Sequence, residues 1–105
     1  MSVFLIEQSV EFRSWLKGLR DRRAQERISQ RIARLGVGLL GDAKPVGEGV
    51  MELRIDHGPG YRLYFIRRGP IVILLLCGGD KGSQKRDIAR AKALAAQVED
   101  RTDGA

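Results

Sequence analysis

The chain has 105 residues, 43% hydrophobic and 30% charged, and its 19 Lys and Arg against 13 Asp and Glu give a formal net charge of +6. One core is all that this length supports, because two would each bury too little apolar surface to offset chain entropy, so residues 1–105 are expected to form a single domain. The longest uncharged apolar run, Ile71 to Cys77, is far short of the ~20 residues of a membrane-spanning helix. Val3 to Ile6 is likewise too short for a signal peptide. These features point to a soluble cytoplasmic protein, and the excess of cations to a polyanionic partner or a solvated basic surface. The lone Cys77 excludes an intramolecular disulfide and, inside an apolar run, reads as a buried, inert thiol.

Val3 to Ile6 reads as a first strand. Phe12, Trp15, Leu16 and Leu19 then recur at helical spacing. A second helix is expected from Asp21 to Leu35, with Ala24, Ile28, Ile32 and Leu35 inward and Arg20, Arg23, Arg27, Arg31 and Arg34 on its other sides. Residues 36–49 lack apolar periodicity and read as a connecting loop. Three strands follow, Val50 to Ile55, Tyr61 to Arg67 and Ile71 to Leu76, and their short turns favour an antiparallel meander. The last is apolar on both sides and belongs in the middle of the sheet. A closing helix is expected from Ser83, as N-cap, to Val98, with a frayed end past Asp100. The order β-α-α-β-β-β-α implies an α+β sandwich, helices on one face of a small, mainly antiparallel sheet and the other face open.

Strand alternation sends Glu52, Arg54 and Asp56 to the open face, together with Arg62, Tyr64 and Ile66. Arg54 and Arg62 converge there, and with Lys81 after the last strand they suit a phosphate, while Tyr64 can stack a base. The same spacing also fits cross-strand pairing of the arginines with Glu52 and Asp56. His57, the only histidine, has the ordinary chemistry for proton transfer, yet its turn position fits an idle side chain equally well. One His and one Cys provide no metal-ligand cluster, and neither a phosphate-binding loop nor a Ser/His/acid elbow is present. No cofactor is expected. A cluster of Arg and Lys suits metal-free cleavage of RNA by its own 2′-hydroxyl, which DNA lacks.

The segments Lys44–Ile55, Gly58–Phe65 and Leu74–Lys81, followed by Gln84, Asp87 and Ile88, resemble the addiction-module killer proteins of the RelE/ParE superfamily, close to the HigB-like toxins. The resemblance spans about Lys44 to Ala91. It implies a RelE-like sandwich and a type II toxin that enters the ribosome and cuts mRNA. The implied partners are a cognate antitoxin, often of helix-turn-helix type, and operator DNA bound through the toxin–antitoxin complex. Matched residue by residue, it implies catalytic roles for Arg54, Arg62 and Lys81 and a lesser one for Lys44 as a substrate contact, while His57 and Tyr64 are substrate-contact candidates from their positions alone. The family commonly has Tyr where His57 stands and Ser or Thr where Gly82 stands. No tyrosine follows Tyr64 to match the late tyrosine of RelE ribonucleases, which leaves the general base unassigned: Lys81, Lys44 or His57 acts, or positioning alone suffices. A ParE-like inhibitor of DNA gyrase and a non-catalytic module binding nucleic acid and antitoxin are the alternatives on the same fold.

Overall fold

The computed structural model of the chain describes residues 3–103, with side chains as far as Val98. In chain order its elements are β1 (Leu5–Gln8), α1 (Val10–Gly18), α2 (Arg22–Gly36), β2 (Ala43–Gly47), β3 (Val50–Ile55), β4 (Tyr61–Arg68), β5 (Val72–Asp80), a short 3-10 turn (Lys81–Ser83) and α3 (Gln84–Asp103). The sheet order is β1-β5-β4-β3-β2. β1 runs parallel to β5, and every other pairing is antiparallel. β5 is thus an interior strand, as its two-sided apolarity requires.

Local chemistry sets the helix starts. The Ser9 hydroxyl accepts the Phe12 N–H at 2.9 Å and donates to the Leu76 carbonyl at 2.6 Å, which caps α1 and pins it to β5. Asp21 caps α2 by accepting from the Arg23 and Ala24 N–H groups. Together α1 and α2 bury Phe12, Ile28 and Leu35 on Leu53, Ile55, Leu63, Phe65, Ile73 and Leu75.

Besides shifted bounds in β1 and β5, which run Leu5–Gln8 and Val72–Asp80 where the sequence predicts Val3 to Ile6 and Ile71 to Leu76, three features differ from the sequence reading. The helices do not share one face: α3 covers the opposite side, burying Ala91 and Ala95 on Val50, Tyr64, Ile66, Leu74, Leu76 and Cys77. A central strand that is apolar on both sides needs cover on both. A bulge sharpens that demand, because Tyr64 pairs with Cys77 and Phe65 with Leu75, so that Leu76 is the extra residue and joins Cys77 beneath α3.

The second difference lies in residues 36–49, which hold a fifth strand, β2. It is an edge strand joined to β3 by Glu48-Gly49, both at positive φ (54° and 79°), the backbone that a two-residue hairpin turn requires. Pro45 and a bulge between Pro45 and Gly47 weakened the strand pattern, and both are tolerated at an edge. Third, Asp80 rather than Ser83 begins the final helical segment: the Asp80 carboxylate accepts the Ser83 N–H, the Ser83 hydroxyl answers the Asp80 N–H, and α3 runs on to Asp103.

Candidate functional site

The register places Arg54 directly opposite Arg62 and Glu52 opposite Tyr64. Like charges facing one another across a strand pair repel, and the chain resolves this with a shared anion. Arg54 Nε and Arg62 Nη1 each lie 3.1 Å from Oε1 of Glu52. The other oxygen, Oε2, accepts from the Tyr64 hydroxyl at 3.1 Å and from Gln84 Nε2, at the start of α3, at 2.8 Å. Glu52 is 0% exposed. Burial pushes its carboxyl up, but the hydrogen bonds from Gln84, Arg54 and Tyr64 and the charge of Arg62 outweigh this and hold it below the usual carboxylate range. The two arginines therefore converge on the sheet face and are also paired, though with Glu52 alone. Asp56 takes no part, being exposed and outside the cluster.

The members are unequally accessible. Arg62 is 9% exposed and its Nε is buried without an acceptor. The Arg54 side chain is 36% exposed. Its Nη groups have no hydrogen-bonded partner among the described residues. Tyr64 is fully buried, which corrects the expectation that it stacks a base: its ring is core under α3, and burial together with Glu52 pushes its hydroxyl pKa up.

Lys81 is exposed on the 3-10 turn beside Gly60, at the end of the sheet where Arg54 and Arg62 lie. Lys44 is exposed on β2 and opposite Glu52, so the ladder sets it on the same face. His57 goes elsewhere. Its Nε2 lies 3.1 Å from Asp21 Oδ2, and its ring stacks on Tyr61 with centroids 6.4 Å apart, while Tyr61 meets Trp15 edge-on. Since Tyr61 alternates with Arg62 along β4, this aromatic group serves the α1–α2 side. The structure thus brings together Arg54 and Arg62, leaves Lys81 and Lys44 at the rim, and keeps His57 and Tyr64 out of reach of a ligand on the α3 face.

Two glycines make this end of the sheet possible. A β-carbon at Gly78 would collide with the Trp15 ring of α1, and one at Gly79, opposite Arg62, with the Asp87 carboxylate and Ser83 hydroxyl at the entry to α3. Sequence reasoning missed Glu52 as the centre and Gln84 as its anchor. Alternation had put Glu52 on the right face, but nothing in the spacing says that α3 closes over it. On α2, Arg31 is taken up by the carbonyls of Arg54 at 3.0 Å and Leu40 at 2.9 Å. Beside it a cleft of about 300 Å³ is lined by Arg27, Gln30, Arg34, Ile55 and Asp56. Cys77 is buried as expected, and burial pushes its thiol up to about 12. No group of side chains able to hold a metal ion occurs among the described residues, and no described helix is long and apolar enough to cross a membrane.

No known family profile matches the chain. An uncharacterized protein of Haemophilus influenzae is 46% identical over 93 residues, covering 89% of this chain and 94% of its own length. Among solved structures, the RelBE2 toxin–antitoxin complex from Mycobacterium tuberculosis aligns at a TM-score of 0.61 and 18% identity, over 75% of this chain and 99% of that one. A mutant of the E. coli toxin RelE in the free state aligns at a TM-score of 0.64 and 15% identity, over 80% of this chain and 90% of that one. The chain therefore belongs to one family with the Haemophilus influenzae protein, and the fold of that family is the RelE toxin fold.

Proposed function

We propose that this protein is the toxin of a type II toxin–antitoxin pair, of the HigB-like kind, and that it cleaves mRNA on the ribosome. The observation that carries the reading is the pair of strand guanidiniums meeting at one partly open point of the sheet, with Lys81 and Lys44 at its rim. The likeness in fold to RelE and to the toxin–antitoxin complex RelBE2 supports it. In this reading Arg54 and Lys81 grip the phosphate, and Arg62 supplies fixed positive charge behind them. Oxygen 2′ of the RNA attacks the adjacent phosphorus as the bond to the 5′ oxygen breaks. The products are a cyclic phosphate and a 5′-hydroxyl, and the 2′ proton leaves to a base as the departing oxygen gains one. Cations held in place lower the barrier by stabilising the charge that grows on the phosphorane oxygens. In this reading Lys81 or Lys44 moves the proton, which is supported by Tyr64 being buried and His57 being engaged on the other side. A cognate antitoxin, of helix-turn-helix type, would silence the toxin and with it bind operator DNA, in the cytoplasm.

The test is to induce the protein alone and map mRNA 5′ ends. New 5′-hydroxyl ends confined to translated regions are the expected result. Intact transcripts with an induced DNA-damage response would replace this reading with gyrase inhibition, and harmless expression would replace it with a binding module.

A further inference from the structure

We propose that Glu52 is the positioning residue of this site, holding Arg54 in the one orientation that presents its free Nη edge to a phosphate. The inference rests on the ribonuclease reading, which supplies the phosphate. A carboxylate among arginines is ordinarily a competitor for an anion site. Here three observations give it another role. It is completely buried, so it cannot swing aside into water. Its Oε2 is fixed from behind by Tyr64 and Gln84, which carry no charge of their own and orient the carboxylate as well as stabilising it. Its Oε1 takes one N–H from each arginine, and the N–H it takes from Arg54 is Nε, leaving both terminal nitrogens of that side chain unused among the described residues. A guanidinium held at Nε has lost most of its rotational freedom before substrate arrives, and its planar fork is already oriented. Arg62 is itself only 9% exposed and bound to the same oxygen, so it stays behind Arg54 and gives up one of the two cations on Glu52 if it turns outward. The site therefore divides its labour: Arg54 is the residue that meets the substrate, while Glu52 acts through it, braced by Gln84 from α3.

The experiment follows the Arg54 Nε–H by NMR in the full-length chain and measures single-turnover cleavage of a short RNA on ribosomes. In the wild type this Nε–H should exchange about tenfold more slowly than that of the exposed Arg13. Gln84→Ala, which removes one anchor without stranding a charge, and Glu52→Gln, which leaves only a neutral acceptor for the Arg54 Nε–H, should both weaken that protection. Gln84→Ala should slow cleavage by about tenfold, below the roughly hundredfold that a ~1 Å misplacement of a catalytic group can cost. In an Arg54→Ala background it should then do nothing further, because a residue that acts through Arg54 has no effect once Arg54 is gone. Unchanged Nε–H exchange in both variants would overturn the proposal whether or not the protein cuts RNA. Additive losses in the double variant would overturn it by making Gln84 and Glu52 merely structural. Should the wild type fail to cleave RNA, the ribonuclease reading falls, and the exchange measurement still decides whether Glu52 holds Arg54.

Discussion

Under α1 and α2 the sheet presents Leu53, Ile55, Leu63, Phe65, Ile73 and Leu75, an apolar surface sealed by Phe12, Ile28 and Leu35. Under the first turn of α3 the same strands bury Glu52, Arg62 and Tyr64 as a hydrogen-bonded group. Each contact of the first face contributes by removing area from water, with little regard for direction. In the second, every member depends on the others, because an ion or hydroxyl left alone in that position costs more than its bond contributes. Stability is thus spread over one face and conditional on the other, and the conditional face is the one with a candidate site.

Substitutions can break this contrast, beginning with the largest effects. Phe65→Ala should destabilise by about 3–5 kcal/mol through lost burial and a residual cavity. Glu52→Ala should reach a similar loss of about 3–5 kcal/mol by stranding Arg62. The two should then part: adding Arg62→Met to Glu52→Leu should recover the share of the loss due to the stranded Arg62, because an apolar pair replaces a buried ion pair at little cost, and leave the share due to the unpaired Tyr64 hydroxyl. Denaturant titration measures each, and failure of the pair to recover would mean that the polar group is not a closed unit. Tyr64→Phe should cost less, about 1.5–3 kcal/mol for a hydrogen bond to a charged group.

Acid separates the faces in another way. Because the folded state holds the Glu52 carboxyl below its ordinary range, its contribution is present above the unfolded pKa and is lost as pH falls through the folded one. Melting temperature should drop on that acid limb in the wild type and more gently in the Glu52→Leu, Arg62→Met variant. The smallest effect belongs to the surface. Arg90 reaches Glu11 at 2.6 Å between α3 and α1, with side chains 48% and 38% exposed. Arg90→Ala should therefore cost no more than about 1 kcal/mol.

Periodicity made most of the fold legible. The stripes Phe12 to Leu19 and Ala24 to Leu35, the turns at Gly58-Pro59-Gly60 and Gly69-Pro70, and the double apolarity of Ile71 to Leu76 each located an element, although β5 runs past Gly78 and Gly79 to Asp80. β2 escaped because its identity lies in pairing: Lys44-Pro45 looks like loop until β3 lies beside it and Glu48-Gly49 adopts its turn. The site was half legible for a related reason. Alternation marks a face but not its cover, so Arg54 and Arg62 could be brought together from the sequence while Tyr64 was wrongly left in the open and Gln84 had no visible role. The stripe Ile88, Ala91, Leu94, Ala95 and Val98 was the available signal that a second face would be closed.

The central claim, that a partly exposed guanidinium on this sheet grips an RNA phosphate, is tested most directly by Arg54→Ala. Arg62→Ala is the poorer choice because it empties a buried pair. The protein should be induced without antitoxin, at soluble levels and a melting temperature matched to wild type. The account predicts that growth arrest and new mRNA 5′ ends both disappear while the fold is kept. Undiminished arrest with the same cleavage pattern would contradict it.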